Sequence, residues 1–430
     1  MSYISMDKKS LREEFEAVSA EYDSYLGKDI SLAMSRGIPN KKMIELTAAK
    51  FKDVDVYTSR IYKDGTDLGT YNQGLISGIC EIKELFADIL SVDTKNIIVG
   101  GNSSLNLMFD MFSQLMLHGN CDSKRPWVKE DKVKFLCPVP GYDRHFAICE
   151  YMGIEMINIP MTENGPDMVM VEKLVAKDKS IKGMWCVPQY SNPDGTVYSE
   201  ETLERLGSMK TKAEDFRIFW DNAYSVHHLF NGEIFEVPNI LEACEKGGYP
   251  NRVYAFASTS KVSMPGSGVA AIAASTDNVD DILNRMRKQT IGYDKLNMLR
   301  HAVVFPNKKA VLDHMKDVAD VLRPNFDVTL ETMERELANL EIAKWSYPSG
   351  GYFISFNTLQ GSAKRIIELC ADAGVKLTPA GAPFPYKKDP EDSNIRIAPT
   401  FPSYEDMKTA AEIFCTCVKL SALEVLTGEA

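Results

Sequence analysis

From about residue 75 onward the chain alternates between two hydrophobic patterns. One is a series of short apolar runs: "KVKFLCPVP", "EMINIPM", "IKGMWCVPQ", "FRIFWDNAY", "RVYAFAST" and "GVAAIAAS". The other is helical spacing, as in "GICEIKELFADIL" and "LNLMFDMFSQLMLHG". Runs that are apolar on both sides suit strands buried on both faces. Their alternation with helices predicts an α/β domain with a mostly parallel sheet and helices on both faces. "NIIVGGNSS" adds a strand that ends in a glycine turn.

The pattern differs on either side of this region. Residues 7 to 26 carry an amphipathic helical spacing, and "DISLAMSRGIPN" suggests a short strand closed by a Gly-Ile-Pro turn. Beyond "LRHAVVFPNKKAV" a long charged helix is expected over about 307–340, then "GGYFISFNT", a helix in "SAKRIIELCADAG", and "NIRIAPTFPS". This predicts a smaller α+β domain. The expected division is residues 66–305 for the large domain and 306–430 for the small one, with 1–65 as a segment that joins the small domain.

Composition narrows the function. At 430 residues the chain is long for one core. Its formal net charge of -11 and the lack of a dense basic run argue against nucleic acid as a partner. The first residues have no apolar secretory core, and no run of eighteen apolar residues suggests a membrane span. The nine cysteines are dispersed among apolar neighbours, which fits reduced thiols in a cytoplasm. Cys415 and Cys417 form a pair with no second Cys/His pair to complete a zinc set, so a structural role is expected and no metal.

Polar groups gather where the strands end, the place where ligands bind in such sheets. The stretch "VYAFASTSKVSMPGSGVAAIAAS" holds one charge, Lys261, among hydroxyls. Burial disfavours the ammonium form of lysine and turns the amine into a nucleophile toward carbonyls; a lysine snorkelling from a strand end is the plainer reading. "GGNSSL" sets Ser103 and Ser104 at a helix start, which suits phosphate or simply a cap. Asn192 sits before a Pro-Asp-Gly turn, and Asp221 follows an apolar strand with Tyr224 three residues on.

Pyridoxal 5′-phosphate uses all these groups: an amine for its aldehyde, a phosphate cradle, a carboxylate for its ring nitrogen, donors to its phenolic oxygen and an aromatic cover. The chain resembles the fold type I, class I aminotransferases that carry this cofactor, and within them a bacterial aspartate aminotransferase subgroup, Ic. The motifs that carry the likeness are "SRGIP", "TYNQGLISG", "GGNSSL", "CPVPGYDRHF", "PQYSNPDG", "WDNAY", "STSKVSMPGSG", "PSGGYF" and "NIRIAP", in order from about Ser31 to Ser403.

The resemblance implies roles. Lys261 binds the aldehyde and moves the proton, and Asp221 pairs with the ring nitrogen. Asn192 and Tyr224 donate to the phenolic oxygen, while Tyr142 stacks on the ring. Ser103, Ser104 and Ser258 bind the phosphate. Tyr71 reaches the phosphate of a neighbouring subunit, which implies a homodimer. Arg396 grips the α-carboxylate, and Gly37 passes close to the substrate. The chain departs from the family twice. Gly268 and Val269 stand where many members place a phosphate-binding arginine. In addition, "MRKQTIGYDKLNMLRH" offers no obvious arginine for a distal carboxylate, leaving Arg36 and Arg144 as candidates.

The expected activity is transamination between amino-acid and 2-keto-acid substrates, with aspartate and 2-oxoglutarate as the expected pair. An aromatic aminotransferase or a β-lyase is the alternative. A cofactor-sensing regulator would need an N-terminal winged helix, for which the residues before "ISLAMSRG" are too few.

Overall fold

The computed structural model describes residues 2–57, 63, 65, 67, 75–230, 234 and 236–428. The strands are β1 (Leu32–Ala33), β2 (Ile97–Val99), β3 (Lys134–Val139), β4 (Glu155–Thr162), β5 (Gly165–Pro166), β6 (Ile181–Cys186), β7 (Arg217–Asp221), β8 (Val253–Ser258), β9 (Ala270–Ala273), β10 (Ala343–Trp345), β11 (Ile354–Thr358), β12 (Val375–Lys376) and β13 (Asn394–Ile397). The helices between β1 and β9 are α2 (Lys41–Phe51), α3 (Cys80–Leu90), α4 (Ser104–His118), α5 (Asp143–Tyr151), α6 (Met168–Val175), α7 (Glu200–Ser208) and α8 (Ile240–Lys246), with α1 (Lys8–Asp23) before them. After β9 come α9 (Thr276–Gln289), α10 (Lys295–Val304), α11 (Lys308–Leu337), α12 (Ala363–Asp372) and α13 (Tyr404–Thr427).

Side-chain caps fix many helix starts. Asp7, Ser103, Ser199, Ser275, Asp294, Asn307 and Ser403 each accept a backbone N–H from the first turn of the helix that follows.

The central sheet runs β2-β9-β8-β7-β6-β3-β4-β5. The pairs from β8 through β4 are parallel, and β9 is antiparallel to both neighbours. The fold is therefore α/β with a mostly parallel sheet, as expected. β6 and β7 are buried at every position, so their runs carry no polar alternation. On one face Phe112 of α4 stacks on Trp185 at 4.9 Å and meets Phe219 at 4.5 Å.

Register brings the functional loops to one edge. Asp221, last in β7, is paired with Phe256, two residues before the end of β8 at Ser258. Ser258 is opposite Ala270, and Ala271 is opposite Val99 at the end of β2. The loop holding Asn192 leaves the neighbouring β6 at the same edge.

The remaining strands form an antiparallel sheet, β10-β11-β13, and a parallel pair of β1 with β12. Packing of α1 and α11 on α13 joins the first and last parts of the chain. The sequence reading did not anticipate α13. It is buried along most of its length, Cys415 and Cys417 included, so its polar stripe is too narrow to show as amphipathic. Among the described residues no group of His, Cys, Asp or Glu could hold a metal, and no helix is long and apolar enough to cross a membrane.

Candidate active site

Lys261 lies three residues past the end of β8, in a turn fixed from two helices. The His314 ring of α11 donates to the Val262 carbonyl at 3.0 Å, and the His301 ring of α10 lies 2.8 Å from the Ser263 hydroxyl. The Lys261 amine points into a ring of tyrosines. Its Nζ donates to the Tyr224 hydroxyl at 2.5 Å and lies 5.9 Å and 6.0 Å from the ring centres of Tyr352 and Tyr142. Burial pushes the amine below its usual pKa, and it pushes the Tyr224 phenol up. Burial also raises Tyr142 to about 12. These shifts favour a neutral amine beside neutral phenols, the state in which lysine is a nucleophile and a base.

Asp221 is buried and splits its two oxygens. Oδ2 meets His145 Nε2 at 3.0 Å, while Oδ1 is buried without a hydrogen-bond partner among the described residues. His145 is held flat against Trp185, with ring centres 4.1 Å apart and planes 4° apart. An orphaned buried carboxylate oxygen is costly unless a ligand donor completes it. A protonated ring nitrogen is such a donor.

Arg396, on β13, is 8% exposed at its side chain. Its Nη1 donates to Asp143 Oδ1 at 2.8 Å and to Asn192 Oδ1 at 3.3 Å, and its guanidinium lies 5.0 Å from the Phe353 ring centre. Its Nε is buried without a hydrogen-bond partner among the described residues, a donor that suits an anionic ligand.

The start of α4 is stitched to the lysine loop. The Ser260 hydroxyl donates to the Asn102 carbonyl at 2.7 Å, and Asn102 Nδ2 donates to the Gly266 carbonyl at 3.1 Å. Ser103 caps α4 by accepting the Asn106 N–H at 3.4 Å. Ser104 is the first helical residue, and Ser258 ends β8.

At Gly268 a Cβ would sit 2.8 Å from the Asn102 carbonyl and from the Ser260 backbone, so the arginine of other family members has no room there. A different arginine approaches from α10. Arg300 donates to Asn297 Oδ1 at 2.7 Å, and Asn297 donates to the Ser267 and Gly268 carbonyls, both at 3.1 Å. Both residues line an open cavity of about 370 Å³ with Gly101, Asn102 and residues 266–269.

The structure thus brings together Lys261, Tyr224, Tyr142, Asp221, Asn192 and Arg396. Gly37 packs beside them, because a Cβ there would lie 2.5 Å from the Phe353 ring. Arg36 and Arg144 are exposed and make no ion pair among the described residues. Tyr71 lies outside the described residues. Sequence reasoning missed His145, Asp143, Tyr352 and Phe353. The first two were legible in principle: "YDRHF" starts a helix at the tyrosine already singled out, so its neighbours in that turn face the same site.

The profile of the aspartate amino-transferase family matches residues 6–430. A protein of Mycolicibacterium smegmatis named as an aminotransferase is 43% identical over 429 residues, covering 100% of each chain. An aspartate aminotransferase of Corynebacterium glutamicum is 42% identical over 413 residues, covering 95% of this chain and 94% of the other. The crystal structure of an aspartate transaminase from Corynebacterium glutamicum superposes with a TM-score of 0.96 at 40% identity, covering 99% of both chains.

Proposed function

The chain belongs to the aspartate amino-transferase family, and from that membership we propose that it is a transaminase exchanging aspartate and glutamate with their 2-keto acids. Aminotransferase activity follows from the family; the choice of aspartate and 2-oxoglutarate is our reading. The observation that carries the transaminase reading is that the Lys261 amine, bonded to Tyr224, and the half-satisfied buried carboxylate of Asp221 lie at the same strand ends.

The residues fit pyridoxal 5′-phosphate. Lys261 would hold its aldehyde, Asp221 its ring nitrogen, Asn192 and Tyr224 its phenolic oxygen and Tyr142 its ring face; Ser103, Ser104 and Ser258 would hold its phosphate. Bound there, the cofactor supplies a sink for the electrons left when an amino acid loses its α-proton. The chain does the rest. Arg396 orients the α-carboxylate, with Gly37 leaving space beside the Tyr352 and Phe353 pair. The Lys261 amine would accept the α-proton of the amino acid and carry it as a shuttling base. Its lowered basicity suits it to both directions. Tyr224 holds the amine in place through its hydroxyl.

We place the large, cofactor-binding domain at residues 66–305 and the small one at 306–430, with 1–65 joining the small domain. The pairing of β1 with β12 supports that assignment. The family likeness of "TYNQGLISG" supports a homodimer with Tyr71 crossing between subunits, and nine free cysteines support a cytoplasmic setting.

An aromatic amino acid is the competing substrate class. The exposure of Arg36 and Arg144, together with the aromatic lining by Tyr142, Tyr352 and Phe353, favours it. The spectrum of the purified protein with and without aspartate tests the activity. The kcat/KM values for aspartate, glutamate, phenylalanine and alanine test the substrate. A preference for phenylalanine would overturn the aspartate assignment, and keto-acid-independent release of pyruvate and ammonia would point to a lyase.

A further inference from the structure

Asp143 is the first residue of α5, and it meets the buried Arg396. The two side chains differ in exposure: 8% for Arg396 and 33% for Asp143. The arginine is therefore fixed in the core of the site, while the carboxylate stands at its rim. Arg396 Nη1 is already shared by Asp143 and Asn192, whereas its Nε is buried and unpaired. A buried guanidinium needs a counter-charge. Asp143 supplies it, at 2.8 Å.

We propose that Asp143 is a specificity-determining residue, a resident carboxylate that holds Arg396 before substrate arrives and weakens its grip on every carboxylate that follows. The inference rests on the reading of Arg396 as the α-carboxylate group. A substrate carboxylate reaching the free side of Arg396 enters the field of Asp143, two anions around one cation. Their repulsion raises the dissociation constant, and it is felt most by a substrate that carries two carboxylates. In return, Arg396 is never left as an unpaired buried charge between turnovers. The position of Asp143 adds a connection to the rest of the site. The same turn carries Tyr142, facing Lys261, and His145, bonded to Asp221. Movement of Asp143 as substrate enters would therefore be passed to the groups around the cofactor position.

The test uses the cofactor-loaded enzyme, with succinate as an unreactive dicarboxylate titrated by the visible spectrum. Asp143→Asn keeps an oxygen that accepts from Arg396 and removes the charge. It should tighten succinate by about three- to tenfold, a range set by one unit charge several ångströms away in partly screened surroundings. KM for the amino-acid substrate should fall with it, and kcat should change less than KM does. The gain should shrink as salt is raised. Asp143→Glu should restore the wild-type value, and Asp143→Ser should tighten succinate as the asparagine does. Unchanged or weaker succinate binding in both neutral variants overturns the proposal. Arg396→Lys separates the two readings: if it leaves succinate binding intact, the assignment of Arg396 fails first. If it abolishes binding while the neutral Asp143 variants match wild type, only the role of Asp143 fails.

Discussion

The Nζ of Lys261 donates to the hydroxyl of Tyr224 at 2.5 Å, inside a site where burial disfavours the charged form of both groups. This geometry gives Lys261 a fixed direction and leaves Tyr224 a proton to give. Borohydride treatment of the purified yellow protein should fix the cofactor to the peptide that contains Lys261, as read by mass spectrometry. A label on any other lysine would remove Lys261 from its assigned role. Tyr224→Phe should keep the label and lower kcat by about ten- to a hundredfold.

Asp221 and His145 should behave unequally. If Asp221 faces the ring nitrogen as proposed, Asp221→Ala should retain some cofactor but lose turnover by about two to three orders of magnitude. His145→Leu leaves Asp221 Oδ2 without its partner, which should cost about 1–3 kcal/mol of stability and a smaller share of activity. Urea unfolding and steady-state kinetics on both variants decide the order; equal losses of activity would contradict it.

Gly268→Arg would restore the residue type common in the family at this place, yet it should damage the enzyme. Its Cβ meets the Asn102 carbonyl and the Ser260 backbone at 2.8 Å, so the loop that carries Lys261 has to move. We expect weaker cofactor retention on gel filtration and a lower melting temperature. Retention at or above wild type would show that the loop has slack.

Acid should weaken the fold through two histidines. Burial lowers His227 to about 3 and His301 to about 4. Their folded-state values lie below the ordinary value near 6.5, so the unfolded chain binds more protons in that window, and stability falls as pH drops through it. Each should contribute about 2 kcal/mol of loss between pH 7.5 and pH 5. Asp194, raised to about 7 by burial, shifts stability the opposite way in this window, so the test is a difference: denaturant unfolding of wild type and His301→Gln at the two pH values, where the variant should escape about 2 kcal/mol of the acid-induced loss. The same pH dependence in both proteins would refute the burial argument.

Arg36 and Arg144, both exposed, can form only weak pairs with a distal carboxylate in the conformation seen. Replacing either with alanine should change kcat/KM for aspartate by about fivefold or less. A hundredfold loss confined to aspartate and glutamate would instead place that arginine, desolvated, against the substrate.

The sequence exposed this site because its parts lie where strands end, and strand ends are marked by abrupt changes from apolar to polar. Lys261, Asp221 and Asn192 were visible for that reason. His145 was missed, because the carboxylate it meets is 76 residues away and only its place one turn from Tyr142 pointed to the site. The same holds for Tyr352 and Phe353, which read as ordinary core aromatics until β11 is set beside the lysine loop. The antiparallel insertion of β9 also escaped, since a four-residue buried strand looks the same in either direction. α13 was hidden by its own burial, which erases the amphipathic stripe.

The pairing of Leu32 with Val375 sets a timetable for synthesis. At about 5–20 residues per second, roughly 20–70 s separate the emergence of β1 from that of β12. Throughout that interval the early strand has no edge to join, and α1 lacks the helix it packs on. The central sheet, complete by Ala273, has time to form first, so the nascent chain would pass through a stage in which Lys261 has emerged while the helices that fix its turn, and Arg396, have not.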